Sequence, residues 1–212
     1  MPSPYPASMT PLKHSIHGAK WFSTLDLASG YWQVEVEPGD REKTAFTTPF
    51  GIFQFRVMPF GLCNAPETFQ RLMERVLAGL HWTSCLVYID DIIIFSKTID
   101  EHLLRLRDVL TCLRIANLKL KPIKCQLFRR SVDYLGYKIS NEGVTTDSRK
   151  VECIVAWKTP ENLKELRRFL GLASYYRRFV KDFAQIASPL HRLTQAGRRW
   201  LWTEECDRAF LR

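Results

Sequence analysis

No two cysteines in this 212-residue chain form a CxxC pair, and no His/Cys group has zinc-site spacing. The six cysteines, at 63, 85, 112, 125, 153 and 206, read as reduced core thiols. Five scattered histidines complete no HExxH, and no Ser or Cys occupies a nucleophile elbow, so the common hydrolase chemistries have no foothold. The longest apolar run, Cys85 to Phe95, is broken by two aspartates, and no stretch is long and apolar enough for a transmembrane helix. The opening MPSPYPASMTPLKHS lacks the apolar core of a signal peptide, which predicts an intracellular, cytoplasmic protein. Internal repeats and low-complexity tracts are also missing.

What is present is enough apolar material for a core, 46% hydrophobic residues with 25% charged. The net charge of +9 is unevenly placed. Residues 1–99 hold 8 Lys/Arg and 9 Asp/Glu, whereas residues 100–212 hold 23 and 13. A neutral half that bears acids, joined to a basic half, suits a polyanion gripped by one part and handled by the other. A merely solvated basic face is the plainer explanation of the same count.

Residues 1–18 are rich in Pro and Ser and read as loop. KWFSTLDL (20–27) predicts a short strand, and TAFTT and IFQFRVM flank Pro49-Phe50-Gly51 as a hairpin over 44–58. Pro66 opens a helix whose Phe69, Leu72, Met73, Val76, Leu77 and Leu80 share one face. SCLVYIDDIIIFS (84–96) predicts two strands meeting at an acidic turn. Thr98 or Asp100 caps a second helix with Leu103, Leu106, Leu110 and Leu113 inward and Asn117 at its end. CQLFRR and SVDYLGYKIS form a further hairpin, closed at Asn141-Glu142-Gly143. Beyond Thr146 the spacing predicts helices over about 147–157, 162–180 and 182–193. Strand 21–27, helix 66–80, strands within 85–96, helix 100–116 and strand 132–139 make a ferredoxin-like β-α-β-β-α-β order in an α+β fold, followed by a helical region. Glu35 and Glu37 alternate along a strand and face solvent, and Phe46, Phe50, Phe53 and Phe55 pack their hairpin on the sheet or stack on bases.

Asp90 and Asp91 are adjacent carboxylates between runs of Val, Ile and Phe. An exposed Asp-Asp turn at a hairpin tip explains the dipeptide alone. Asp26 ends another apolar strand, which the split plan places beside that hairpin. Three acids at one end of a sheet disfavour joint ionisation unless a cation lies among them. They suit Mg²⁺, which takes carboxylates and substrate phosphates while keeping waters. Two such ions about 3.5–4 Å apart serve an in-line phosphoryl transfer.

LDLASGYWQVEV, MPFGLCNAPETFQ, YIDD within LVYIDDIIIFS, and YLGYKIS resemble the ordered motifs of gypsy-type LTR retrotransposon reverse transcriptases. NLKELRRFLGLASYYRRFVKDFAQIASPL resembles their thumb, and WLWTEECDRAF the lead-in to a ribonuclease H domain. The resemblance implies a polymerase palm over 19–145 with a fingers hairpin at about 44–58, a helical thumb over 146–195, and the start of a connection over 196–212. Residues 1–18 then stand as truncated fingers. It implies that Asp26, Asp90 and Asp91, with the backbone of Leu27, hold two Mg²⁺ ions, Mn²⁺ being the alternative. Leu27, Ala28, Ser29 and Gly30 would face the incoming triphosphate, Tyr31 would be the gate against a ribose 2′-hydroxyl, and Phe60 would line the nucleotide pocket. Pro59 and Gly61 would shape that loop, and Tyr88 would touch the primer end. Leu135, Gly136 and Tyr137 would grip the primer, and Arg167, Arg168, Arg177 and Arg178 are candidates for phosphate contacts.

The implied partners are an RNA or DNA template with its primer, deoxynucleoside triphosphates and the remainder of a Pol polyprotein, with no membrane. An active element would add association with its particle. The implied activity is RNA-directed DNA synthesis. A catalytically silent remnant that only binds nucleic acid is the competing expectation, and a non-catalytic ferredoxin-like RNA-binding domain ranks below it, because acids stand where its aromatics would be.

Overall fold

The computed structural model describes residues 15–146 and 148–211, less the side chains of 148–150 and 178. Its strands are β1 (Trp21–Asp26), β2 (Phe46–Thr48), β3 (Gly51–Phe53), β4 (Cys85–Tyr88), β5 (Asp91–Ser96), β6 (Gln126–Arg129), β7 (Ser131–Tyr134), β8 (Tyr137–Ser140) and β9 (Gly143–Thr146). Its helices are α1 (Ala65–Val76), α2 (Ile99–Ile115), α3 (Ser148–Val155), α4 (Leu163–Tyr175), α5 (Phe183–Leu193) and α6 (Glu204–Phe210). The chain divides into two compact units between Thr145 and Thr146.

In the first unit β4, β5, β1 and β6 pair in that order, each with its neighbour antiparallel. With α1 between β1 and β4, and α2 between β5 and β6, this is the β-α-β-β-α-β plan of an α+β fold. Its closing strand, however, is β6 at 126–129, not 132–139. The register of β1 on β6 shifts between Phe22 and Thr24, and the Ser23 hydroxyl accepts from the Phe128 N–H at 3.1 Å. A serine on β1 thus supplies the partner that a bulged strand would otherwise lack. Residues 131–140 break at Leu135 and Gly136, both with positive φ (50° and 75°), into the β7–β8 hairpin. With β9 they form a separate three-stranded sheet.

The core gathers Leu25 of β1 and Leu27 just after it, Phe69 and Met73 of α1 with Leu77 at its C-terminal cap, Val87, Ile92 and Ile94 from the central hairpin, and Leu106, Val109 and Leu113 from α2. Helix α1 starts where Pro66 fills its first turn but ends at Val76, short of the predicted 80. Helix α2 is capped by Thr98, whose hydroxyl accepts from the Glu101 N–H at 3.3 Å. Its buried stripe is His102, Leu106, Val109 and Leu113, while Leu103 and Leu110 are exposed, contrary to the leucine spacing.

The cause of that rotation is His102, fully buried between Ser23 of β1 and Ser96 of β5. The Ser96 hydroxyl donates to the Thr98 carbonyl at 2.9 Å, so it accepts from Nδ1–H of the imidazole at 2.9 Å. Nε2 then accepts from the Ser23 hydroxyl at 2.7 Å, and Ser23 accepts from the Phe128 N–H. One neutral tautomer serves every group. Burial, followed by the nearby Arg105, holds the His102 pKa below the usual imidazole value. His102→Leu is therefore expected to cost about 2–4 kcal/mol at pH 7.5, because two buried hydroxyls lose their partner. A depressed imidazole pKa favours the folded state fully above pH ~6.5 and loses that advantage as pH falls. Urea melts at pH 7.5 and 5.5 should show the gap between parent and variant narrowing on acidification.

The β2–β3 hairpin does not pack on the sheet as expected. Phe50 and Ile52 are 91% and 76% exposed, and Phe46, itself exposed, meets the neighbouring rings of Phe53 and Phe55. Glu35 and Glu37 face solvent but lie on no strand; Glu35 makes one isolated bridge to Val57. All six cysteines are free, but Cys63 and Cys153 are exposed, which corrects the reading of every thiol as core. Residues 1–14, with the predicted N-terminal loop, lie outside the described residues, as does Asp147 at the start of the predicted third helix. Among the described residues no helix is long and apolar enough to cross a membrane.

The second unit packs Leu166, Phe169 and Leu170 of α4 against Ala187 and Leu190 of α5 and Cys206 of α6. Asn162 caps α4 by accepting from the Glu165 N–H at 3.0 Å, and Glu165 reaches back to the Glu161 N–H at 2.9 Å. Helix α4 ends at Tyr175 rather than 180, a single 3-10 turn (Arg177–Phe179) follows, and Asp182, at φ 57°, starts the next helix. Helix α6, unforeseen in the sequence, closes on Trp202, whose Nε1–H donates to Asp207 at 2.6 Å.

Candidate active site

Antiparallel register sets the acids. Asp26, the last residue of β1, lies directly opposite Asp91, the first residue of β5, which itself lies opposite Tyr88 of β4. Tyr88, Asp91 and Asp26 therefore form one row across three strands, and directly opposed residues place their Cβ atoms roughly 4.5–5.5 Å apart. Asp90 sits in the two-residue turn, beside the 3-10 turn Gly30–Gln33 that follows β1. A Cβ built on Gly30 would lie 3.3 Å from the Asp90 Cβ and 2.8 Å from Phe69 Cζ, so those elements meet at a distance that only glycine allows.

The electrostatics follow from that crowding. Burial, then the charges of Asp90 and Asp26, push the Asp91 carboxyl up to about 6, against a smaller opposing effect of Lys124. Lys124 donates to Asp26 Oδ2 at 3.0 Å, and its own pKa is raised by that bond. This donor set fits a divalent cation: the Asp91 carboxylate bears the charges of two neighbouring acids, offset only in part by one exposed lysine. Among the described residues, no three His, Cys, Asp or Glu side chains close around an ion by themselves. A hard cation that keeps waters and takes substrate phosphate oxygens asks for no such cage.

The loop after β1 is held by backbone and side-chain bonds. The Leu27 N–H donates to the Asp90 carbonyl at 3.4 Å, and the Ala28 N–H to the Lys119 carbonyl at 2.8 Å. Ser29 takes a left-handed φ of 53° and Gly30 is buried. Tyr31 lies on the 3-10 turn, not on a strand, with its ring 5.5 Å from both Phe60 and Phe69. Burial, then the Asp90 charge, raises the Tyr31 phenol above its ordinary value. Phe60 is 65% exposed, between buried Pro59 and Gly61 at φ 96°. Leu135 and Gly136 form the β7–β8 turn, and Tyr137 is buried opposite Tyr134. In the second unit Arg167, Arg168 and Arg177 are exposed; the Arg178 side chain lies outside the described residues.

Gln33, Gln70, Tyr134 and Lys124 also bond to this site; the first three lie within the quoted motifs but have no role assigned from the sequence, and Lys124 lies outside them. Gln33 Nε2 donates to the Ala28 and Lys119 carbonyls, at 2.8 and 3.0 Å, and its Oε1 accepts from the Lys119 N–H at 2.7 Å. Gln70 Oε1 accepts from the Ile89 N–H at 2.7 Å. The Tyr134 hydroxyl donates to the Asp91 carbonyl at 3.3 Å, and Lys124 is the fourth. Gln70 stood within the MPFGLCNAPETFQ motif, where a polar residue beside buried Phe69 was the available hint.

Residues 1–139 match the family model "Reverse transcriptase (RNA-dependent DNA polymerase)". The chain is 44% identical over 181 residues to the retrovirus-related Pol polyprotein from transposon opus of Drosophila melanogaster, covering 85% of this chain and 18% of that protein. It is also 44% identical over 191 residues to the corresponding polyprotein from transposon gypsy of the same organism, covering 90% and 18%. Among solved structures, a foamy viral protease–reverse transcriptase in complex with double-stranded DNA superposes with TM-score 0.84 at 30% identity, over 97% of this chain and 37% of that one. A second, in complex with an RNA/DNA hybrid, gives 0.81 at 32% identity over 90% and 26%. The chain thus spans under a fifth of the length of these polyproteins. Its motifs, fold and relatives agree: the chain belongs to the reverse transcriptase family, among the Pol polyproteins of gypsy-type LTR retrotransposons.

Proposed function

We propose that this chain is the polymerase module of a Pol polyprotein, extending a primer 3′-hydroxyl with deoxynucleoside triphosphates on an RNA or DNA template. The observation that carries the reading is the register of Asp26 against Asp91, with Asp90 in the adjoining turn. Asp26, Asp90 and Asp91, with the Leu27 backbone, would hold the two Mg²⁺ ions, or Mn²⁺ in their place. Such ions, when bound, lower the pKa of the attacking hydroxyl and neutralise charge on the triphosphate.

The protein groups do the positioning. Leu27 to Gly30 offer backbone to the triphosphate, and buried Gly30 keeps that approach clear. Tyr31, braced by Phe69 and Phe60, blocks a ribose 2′-hydroxyl. The open face of Phe60 takes the nucleotide, with Pro59 and Gly61 shaping its loop. Tyr88, in line with Asp91, meets the primer end, and the turn at Leu135, Gly136 and Tyr137 grips the primer backbone. Arg167, Arg168, Arg177 and Arg178 are the candidates for phosphate contacts, which position a duplex without reading its sequence.

The test is primer extension by the 212-residue chain on an RNA template with Mg²⁺. Extension that stops on chelation supports the reading. Duplex binding that weakens steeply with salt, without extension, supports the silent nucleic-acid binder instead.

A further inference from the structure

Ile89 carries the sharp point of the acidic turn. Its φ of 55° places a β-branched residue in the left-handed region, a conformation such residues resist. No glycine relaxes the turn, so its shape must be imposed from outside. Three elements impose it on three consecutive residues. The Ile89 N–H donates to Gln70 of α1, the Asp90 carbonyl accepts from the Leu27 N–H, and the Asp91 carbonyl accepts from the Tyr134 hydroxyl.

The Gln70 bond is the shortest of the three, 2.7 Å against 3.4 and 3.3 Å. Its direction is also determined. Gln70 Nε2 donates to Glu74 Oε1 at 2.8 Å and to the Val87 carbonyl at 3.3 Å. Both partners are acceptors, so the amide oxygen must face the Ile89 N–H. One side chain therefore straddles Tyr88, tying the carbonyl before it and the amide after it to a helix whose neighbouring Phe69 is wholly buried.

We propose that Gln70 is a positioning residue of the polymerase reaction: oriented by Glu74, it locks the strained Ile89 turn so that Asp90 and Asp91 are presented in one fixed geometry. The inference rests on the polymerase reading of those two acids. Gln70 acts through the backbone of the turn alone, without touching substrate or metal.

Two variants of the full chain test it. Gln70→Met keeps length and loses every bond. The exchange Gln70→Glu with Glu74→Gln keeps an acceptor facing Ile89 and returns a donor from position 74, giving up only the longer bond to the Val87 carbonyl. Gln70→Met should lower kcat by about tenfold to a hundredfold, the usual effect of sub-ångström misplacement, with the nucleotide KM within about threefold. The exchange should restore kcat to within about threefold of the parent. Amide hydrogen exchange at Ile89 should accelerate about tenfold or more in Gln70→Met and return to the parent rate in the exchanged pair. A Gln70→Met chain that melts with the parent and keeps kcat within twofold, or an unchanged Ile89 exchange rate, overturns the proposal. If Gln70→Met does not fold, the exchanged pair decides: near-parent kcat and Ile89 protection support the role, and their loss overturns it. A parent chain that fails to extend primers sinks the polymerase reading alone, and the Ile89 amide then reports on the turn by itself.

Discussion

Asparagine in place of Asp91 is expected to abolish primer extension while raising the melting temperature of the same chain. The first effect follows from removing a charge from the acid row, which should cost about a thousandfold or more in rate if several kcal/mol of charge stabilisation depend on it. The second follows from what that charge costs the fold. Burial and two neighbouring carboxylates raise the Asp91 pKa from 3.8 to about 6. The folded chain therefore holds the proton more tightly than the unfolded chain does, and its stability declines as pH rises across that interval. Below pH ~4 the penalty is absent, and above pH ~6 it is complete. Because the carboxyl is partly solvated, the penalty is about 1–2 kcal/mol. For a unit of this length that is about 3–6 °C. Melts of parent and Asp91→Asn without divalent ions should separate at pH 7.5 and coincide near pH 4. An inactive variant that is also less stable at pH 7.5 would show Asp91 to be a structural carboxylate, not one held at the fold's expense for chemistry.

The acids were readable from sequence because a β-hairpin and a neighbouring strand convert linear order into register. Once Asp26 ends one strand and Asp91 begins another, antiparallel pairing brings them together. The pieces that brace them were not readable for a common reason. Gln33 bonds to Lys119 across 86 residues, Lys124 to Asp26 across 98, and Tyr134 to Asp91 across 43. These are single polar side chains meeting backbone or a lone charge, and they leave no period in the chain. The same physics misled the leucine count in α2. Leucine spacing predicts a face by apolar area alone, but buried His102 donates from Nδ1 and accepts at Nε2, and that demand outweighs the exposure of Leu103 and Leu110. The closing strand was placed too late because Val132 to Ile139 has stronger β character than Gln126 to Arg129. The weaker stretch joins the main sheet because Ser23 satisfies its bulge.

Gly30→Ala should slow extension by about a hundredfold, although it removes no chemistry. No left-handed φ is at stake at this position; the constraint is space. The added methyl would stand 2.8 Å from Phe69 Cζ, 3.2 Å from its Cε1 and 3.3 Å from the Asp90 Cβ. Phe69 has little room to retreat, being fully buried in one core cluster with Met73 and Leu77 and with the Tyr31 ring 5.5 Å away. The turn carrying Asp90 is the softer neighbour, so the methyl displaces the carboxylate and with it the loop from Leu27 to Tyr31. Overpacking of this kind costs about 1–3 kcal/mol, and an ångström of misplacement at a reacting centre about a hundredfold in rate. A second substitution separates the two contacts. Phe69→Leu in the Gly30→Ala background vacates the ring position, so the pair should be coupled: the double variant is more stable than the sum of the single costs predicts, by about 1 kcal/mol or more. Denaturant melts of the four chains measure that coupling, and primer extension by the same four measures the recovery of rate. Strict additivity in stability would mean that the glycine and the phenylalanine do not touch, and the close approach of the 3-10 turn to the acidic turn would be lost as the reason for a glycine there.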